Sequence, residues 1–178
     1  MDGFAPATLR TDRLTLRPPG AADADDAFAA VDHEVRRWMP WSLEYTHDKA
    51  LRWCTSEAYR DPVHETHFVI VPHLTGRFAG VIGISRADWE TGVAETGYWL
   101  GPGGRRHGYA TEAVREVARY VFGLGFHRLE LVAAIGNVAS QRVAERAGFT
   151  REGVLREARA VPGGRSDMVI FSLLKGEL

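Results

Sequence analysis

At 178 residues, 45% hydrophobic and 25% charged, the chain is long enough for one domain with a substantial core, and it needs neither disulfides nor metals to hold it. Its 22 Lys and Arg against 23 Asp and Glu leave a net charge of −1, which argues against nucleic acid as a partner, because such domains carry a basic excess. The single cysteine, Cys54, excludes an intrachain disulfide and suits a reducing compartment, and no stretch approaches the roughly 20 apolar residues of a membrane span, so a cytoplasmic protein with no membrane partner is expected.

The opening stretch MDGFAPATLR has neither the cationic start nor the apolar run of a signal peptide. RLTLR (Arg13 to Arg17) alternates as a strand does and is stopped by Pro18 and Pro19. Ala21 to Trp38 reads as one helix with an acidic first turn, as the helix dipole favours. A second helix follows over THDKALRWCTSEAYRD, with Ala50, Leu51, Cys54 and Ala58 on one stripe, Thr46 or Asp48 as its cap and Pro62 closing it. Burial is the expected role of Cys54.

Three strands come next: His67 to Val71, Phe78 to Ser85 and Val93 to Leu100. In the third, Val93, Glu95, Gly97 and Trp99 share one face, and Ala94, Thr96, Tyr98 and Leu100 the other. A helix from about Tyr109 to Phe122 carries the stripe Ala113, Val114, Val117, Ala118 and Val121. RLELVAAI is a further strand, and NVASQRVAERAGF a further helix that turns Ala139, Val143, Ala144 and Ala147 inward. Gly148 is its left-handed cap and Phe149 folds back on it. PGGR (Pro162 to Arg165) separates the last two extended stretches. The whole chain, residues 1–178, reads as a single mixed α/β domain of seven strands and about four helices.

The stretch GPGGRRHGYATEAV joins the third of those strands to the longest helix. The free N–H groups of that helix and the positive end of its dipole face the turn. Gly108 permits positive φ, Ala110 is small, and Arg105 and Arg106 add charge, which together suit a pyrophosphate. No Gly-Lys-Ser/Thr follows, so this is not a P-loop, and the Gly-x-Gly-x-x-Gly spacing of dinucleotide folds is absent. Taken alone, the loop reads first as a solvated connector in which glycines are ordinary punctuation. HETH (His64 to His67) departs from the metalloprotease pattern, and no metal is expected.

Arg105-x-x-Gly108-x-Ala110 resembles the Gln/Arg-x-x-Gly-x-Gly/Ala motif of GNAT-superfamily acetyltransferases. AETGYWL before it, ATEAV after it, and NVASQRVAERAGF, which is similar to the family's Asn-x-x-Ser…Gly-Phe segment, stand in family order. LRTDRLTLRPPGAADADD, WMPWS and GGRSDMVIFSLL extend the likeness to the RimJ/RimL-like branch over nearly the whole chain. The resemblance implies a mostly antiparallel seven-stranded sheet with one splayed parallel pair, between Val93–Leu100 and Leu129–Ala134, and acetyl-CoA as cosubstrate.

By motif position the resemblance implies backbone contacts from Leu100 to pantetheine. It implies a diphosphate cradle from Arg105, Arg106, His107, Gly108, Tyr109, Ala110 and Thr111, a bond from Asn137 to the pantetheine arm, and a reach from Arg142 to CoA phosphate. Glu95 would be the general base, through a water; the plain alternative is a strand carboxylate paired with an arginine. Ser140 would hydrogen-bond the leaving thiolate, or else cap its helix. Trp38 and Trp41 would stack on an acceptor, or else anchor the first two helices to the sheet. The acceptor itself is open between a protein N-terminus and a small amine, and so is a homodimer. At pH 7 an α-amine is about a tenth neutral and a lysine amine only about once in 2500, so the base matters more for the second. A non-catalytic acyl-CoA-binding sensor is the competing function.

Overall fold

The computed structural model describes residues 3–42, 44–161 and 163–178. Met1, Asp2 and Pro162, parts of the first stretch and of the predicted PGGR turn, lie outside the described residues. Within the described residues eight strands form one sheet: β1 (Leu9–Arg10), β2 (Leu14–Arg17), β3 (Thr66–Pro72), β4 (Gly80–Asp88), β5 (Val93–Leu100), β6 (Arg128–Ala134), β7 (Thr150–Val161) and β8 (Gly164–Leu174). Their spatial order is β1-β2-β3-β4-β5-β6-β8-β7, antiparallel throughout except for β5 against β6. Seven strands were expected; the eighth is β1, whose two residues pair Leu9 with Leu16 and are too short for alternation to register.

Among the described residues five α-helices stand where about four were expected: α1 (Ala24–Ala29), α2 (His33–Trp38), α3 (His47–Thr55), α4 (Tyr109–Gly123) and α5 (Val138–Ala147). The helix expected over Ala21 to Trp38 breaks in two at Asp32. There the backbone turns extended (φ −88°, ψ −173°) and the carboxylate accepts the Val35 N–H, starting a new helix. The break also lets Ala30 press on the chain leaving β5, where a Cβ on Gly101 would lie 2.7 Å from that of Ala30. Thr46, rather than Asp48, caps α3 through the Lys49 N–H, and the helix ends at Thr55 in a short 3-10 turn over Glu57–Tyr59.

The α4 stripe Ala113, Val114, Val117, Ala118 and Val121 is fully buried and packs with Leu16, Phe68, Ile70, Ile82, Ile84 and Leu129 of the sheet. Each valine so buried contributes about 1.5–3 kcal/mol, which makes α4 the main anchor of the fold. Helix α5 is covered less than its pattern predicts. Ala144 and Ala147 are buried, but Val143 is half-buried and Ala139 exposed, because the first turn of α5 lies along an open cleft. Gly148 takes φ +100° and the Phe149 N–H returns to the Ala144 carbonyl at 3.0 Å, a Schellman ending with Phe149 buried beneath it. Cys54 is buried with Ala24 and Ala27 between α1 and α3, and burial pushes its thiol up to about 11, so it stays protonated and unreactive.

The parallel pair is short. Strands β5 and β6 face each other only from Val93 opposite Arg128 to Thr96 opposite Leu131. Past that point β5 remains paired with β4 as far as Leu100 opposite Gly80, and β6 with β8 as far as Ala134 opposite Met168. Each strand keeps its outer neighbour while the two diverge from one another. Ser85, an extra residue in β4 between the Ile84–Thr96 and Arg86–Glu95 pairs, sits at the level where the divergence begins. Such bulges increase local twist and bend a strand, which turns β5 away from β6. The Thr96 hydroxyl, donating to the Gly83 carbonyl at 2.8 Å, ties β5 to β4 at that level.

Candidate active site

The diverging strands open into a cleft of about 1680 Å³, lined by β4, β5, β6, α2, the loop before α4, the first turns of α4 and α5, and the β7–β8 hairpin. This exceeds the roughly 300–1,000 Å³ of an ordinary small-ligand pocket and leaves room for two ligands end to end.

At one end lies the loop from Gly101 to Gly108. Arg106 (φ +65°) and Gly108 (φ +79°) are left-handed, with Arg105 extended before them, so the backbone curls ahead of α4. Among the described residues no protein acceptor takes the N–H groups of residues 106–111; the first helical bond of α4 is from Glu112 to the Gly108 carbonyl, at 3.2 Å. Six amides and a helix N-terminus are therefore without protein partners at this end of the cleft, which is the chemistry of an anion site. Tyr109 and Ala110 are buried and hold the start of the helix in place. His107 stacks on the Tyr109 ring at 5.1 Å, and Thr111 lines the cleft beyond it.

Glu112, an acid in that first turn, would oppose an anion were it free. Arg13 meets it through Nε at 2.7 Å and Nη2 at 2.5 Å, while Arg13 Nη1 donates to the His107 carbonyl at 3.0 Å. One arginine from the edge of β2 thus neutralises the acid and pins the loop.

The side chain of Arg105 is held by protein groups. Its Nη1 and Nη2 each donate to Asp32 at 2.7 Å, and its Nε to the Leu100 carbonyl at 3.0 Å. Its guanidinium is engaged by protein, and what Arg105 does is clamp the loop to α2 and to the end of β5. The same hydrogen bonds draw Asp32 down to about 2. Leu100 likewise presents a carbonyl that already accepts one hydrogen bond. Arg106 is exposed and carries positive charge at the mouth of the cleft.

Glu95 lies on the cleft floor, 7% exposed. Its Cα is opposite Arg86 on one side and Glu130 on the other. Arg159, from β7, forms an ion pair with one carboxylate oxygen, and Arg86 Nη2 lies 3.6 Å from the other. Arg86 also reaches Glu130 at 2.9 Å, and Arg128 bridges Glu130 and Glu152. Cations therefore interleave two adjacent acids. Gly97, two residues on, has nothing within 4 Å of where a Cβ would stand, so the floor beside Glu95 is open.

On the opposite wall Asn137 caps α5, its Oδ1 accepting the Ser140 N–H at 3.1 Å. Asn137, and not Ser140, is the cap, which leaves the Asn137 amide nitrogen and the Ser140 hydroxyl for other partners. The Tyr98 hydroxyl donates to Ser140 Oγ at 3.3 Å, joining the far end of β5 to α5 across the gap. Burial pushes the Tyr98 hydroxyl up to about 12, so it stays neutral and keeps its proton. Gln141 donates to the Ala134 and Ile135 carbonyls at 3.3 and 2.8 Å, fixing the β6–α5 turn. Arg142 is exposed on the cleft rim.

Trp38 donates through Nε1 to Glu34 at 2.8 Å, and its ring extends from α2 across the cleft to the β6–α5 turn, where a Cβ on Gly136 would lie 3.3 Å away. Trp41 is 44% exposed and packs with Tyr45 and Trp99 at 5.2 and 5.7 Å between ring centres. The two tryptophans roof separate parts of the cleft. Among the described residues no group of three or more His, Cys, Asp or Glu could hold a metal, and no helix is long and apolar enough to cross a membrane.

Sequence reasoning missed Asp32, Tyr98 and Arg159. Asp32 carries a readable signal, an N-cap residue before an apolar-periodic turn. Tyr98 and Arg159 carry none, since each acts through a partner 42 or 64 residues away.

A sheet that is complete except for one opened parallel seam, with unpartnered amides at its mouth, has the form of an enzyme that takes an extended acyl carrier. The family profile for the acetyltransferase (GNAT) domain matches residues 13–150. The chain belongs to the GNAT family and is an acyltransferase. It is 32% identical over 183 residues to the uncharacterized N-acetyltransferase p20 of Bacillus licheniformis, covering 96% of this chain and 97% of that one. A GCN5-related N-acetyltransferase from Brucella melitensis superposes with a TM-score of 0.86 at 29% identity, over 99% of this chain and 82% of that one. RimJ of Mycobacterium smegmatis, solved with CoA-disulfide, superposes with a TM-score of 0.88 at 24% identity over 100% and 92%, which establishes a common fold with the RimJ/RimL-like branch.

Proposed function

We propose that the protein transfers an acetyl group from acetyl-CoA to a primary amine, on a protein N-terminus or a small molecule, by direct attack in a ternary complex. The observation that carries this reading is the conjunction of the open β5–β6 edge with the six unpartnered amides of residues 106–111. An extended arm with a diphosphate at one end and a thioester at the other fits both. The names of the similar N-acetyltransferases, and the CoA held by the solved RimJ, support it.

Acetyl-CoA supplies an activated acetyl group. The amides from Arg106 to Thr111 bind the diphosphate, Asn137 donates its side-chain N–H to the pantetheine arm, and Arg142 reaches a phosphate from the rim. Glu95 exchanges Arg159 for a water and through it takes the proton from the attacking amine. Ser140 donates a hydrogen bond to the sulfur that receives the electron pair of the broken C–S bond. Trp38 and Trp41 flank the acceptor. A protein α-amine, already about a tenth neutral at pH 7, asks less of Glu95 than a lysine does.

The test is Glu95→Gln. Acetyl-CoA affinity by calorimetry should be unchanged, while thiol release with a productive amine falls by about 10²- to 10⁴-fold. The ion pair between Glu95 and Arg159 favours a second reading, a non-catalytic acyl-CoA sensor in which the acid is structural. Silence of the wild type across N-terminal peptides, polyamines and amine antibiotics, with acetyl-CoA bound, would decide for that reading. A thermal melt raised by acetyl-CoA and not by ATP separates both from nucleotide binding.

A further inference from the structure

We infer that Tyr98 is a positioning residue for the leaving sulfur: its hydroxyl, by donating to Ser140 Oγ across the opened seam, turns the Ser140 proton into the cleft. The inference rests on the proposed acetyl transfer and adds to it a residue that the sequence motifs leave out.

The argument is one of donors and acceptors. A serine hydroxyl has one proton and two lone pairs. Within a helix that proton ordinarily goes back to the carbonyl four residues earlier. Among the described residues Ser140 Oγ donates to no protein acceptor, and what it receives is the Tyr98 bond at 3.3 Å. Its backbone N–H is separately held by Asn137 at 3.1 Å, which fixes the residue in the first turn of α5. With Tyr98 as the donor one lone pair is occupied and the backbone is fixed, which leaves the Ser140 proton for the cleft that the residue lines.

Tyr98 is well placed to impose this. It stands two residues past Thr96, the last residue of β5 that faces β6, so its ring lies where the seam has already parted. A hydroxyl that accepts a hydrogen bond is also a stronger donor, because bonds in a chain polarise one another. No proton leaves Tyr98 in this scheme. The C–S bond breaks, its electron pair stays on sulfur, and the Ser140 O–H donates to the resulting thiolate, which takes a proton from solvent after release.

The test reads the thiolate directly and needs no acceptor. In the complex with free CoA, the pKa of the bound thiol is obtained from its ultraviolet absorbance, as a difference against the desulfo-CoA complex. Wild type should hold that pKa below the value for free CoA by about one unit, as a tenfold preference for thiolate requires. Tyr98→Phe, which removes one oxygen and keeps the ring, should return about half of the shift and lower kcat by about 3- to 10-fold with CoA affinity kept. Ser140→Ala should abolish the shift, and Tyr98→Phe added to it should change nothing more.

A merely structural tyrosine would lower melting temperature without moving the thiol pKa. The inference is overturned if Tyr98→Phe leaves that pKa at the wild-type value, or moves it equally in the Ser140→Ala background. Absence of any CoA complex in calorimetry would instead refute the proposed function, and this inference with it.

Discussion

Replacing Asp32 by alanine removes three hydrogen bonds at once: two from Arg105 at 2.7 Å and the α2 cap from the Val35 N–H at 3.1 Å. The cap is worth about 1 kcal/mol. The Arg105 pair, with side chains 29% and 32% exposed, is worth about 1–2 kcal/mol after discounting for solvent. Asp32→Ala should therefore lower the unfolding free energy by about 2–3 kcal/mol, and Asp32→Asn, which keeps an oxygen for the cap and gives up the charge, by about 1–2 kcal/mol. Urea titrations should show the midpoint moving in that order with an unchanged slope.

The pH dependence has a definite sign. Arg105 holds Asp32 at about 2 in the folded protein, against 3.8 for the free side chain, so the contribution is fully present above 3.8 and lost as pH falls toward about 2. The gap between wild type and Asp32→Asn should be constant at neutral pH and close across that interval. Equal stabilities at pH 7, or a gap undiminished below pH 3.8, would refute the clamp. Because Arg105 anchors the loop of unpartnered amides at the end of the cleft, both variants should also weaken acetyl-CoA binding when measured by calorimetry.

Gly97→Ala should be neutral or stabilising by up to about 1 kcal/mol, since a Cβ there meets nothing, whereas Gly97→Leu should fold normally yet block the cleft floor and abolish thiol release. Gly108→Ala forces a Cβ onto a residue at φ +79°, so it should cost about 1–2 kcal/mol in denaturation and weaken acetyl-CoA binding beyond that loss of stability. Cys54 should resist thiol reagents in the native state and be labelled only as fast as the protein opens, because it is buried and its thiol is held protonated.

The α4 stripe was legible because five small apolar residues repeat at helical spacing and meet one continuous apolar sheet face. The Gly148 cap was legible because one residue type dominates that backbone conformation. The break at Asp32 was harder to read: the 3.6 period runs through it, and the reason for it, Arg105, lies 73 residues on. The site divides along the same line. Gly108 and Asn137 show through local chemistry that any helix start displays. The role of the Arg105 guanidinium, the Arg159 partner of Glu95 and the Tyr98 bond are set by strands and helices meeting from distant parts of the chain, and spacing along the sequence carries no trace of such meetings. Residue 139 was misjudged for a related reason: periodicity identifies a face of α5 and does not say that the sheet beneath its first turn has opened.

Among the described residues the parallel ladder that joins the five strands on one side of the sheet to the three on the other is four pairs long, Val93 to Thr96 against Arg128 to Leu131. The molecule is in that sense two blades on a short spine, with α4 bolted across them. Any extended ligand that takes the vacant backbone bonds beyond Thr96 adds rungs that neither blade can offer the other. Occupancy should then slow amide exchange throughout β6 and β8 as well as at the contact residues, so that substrate also serves as mortar.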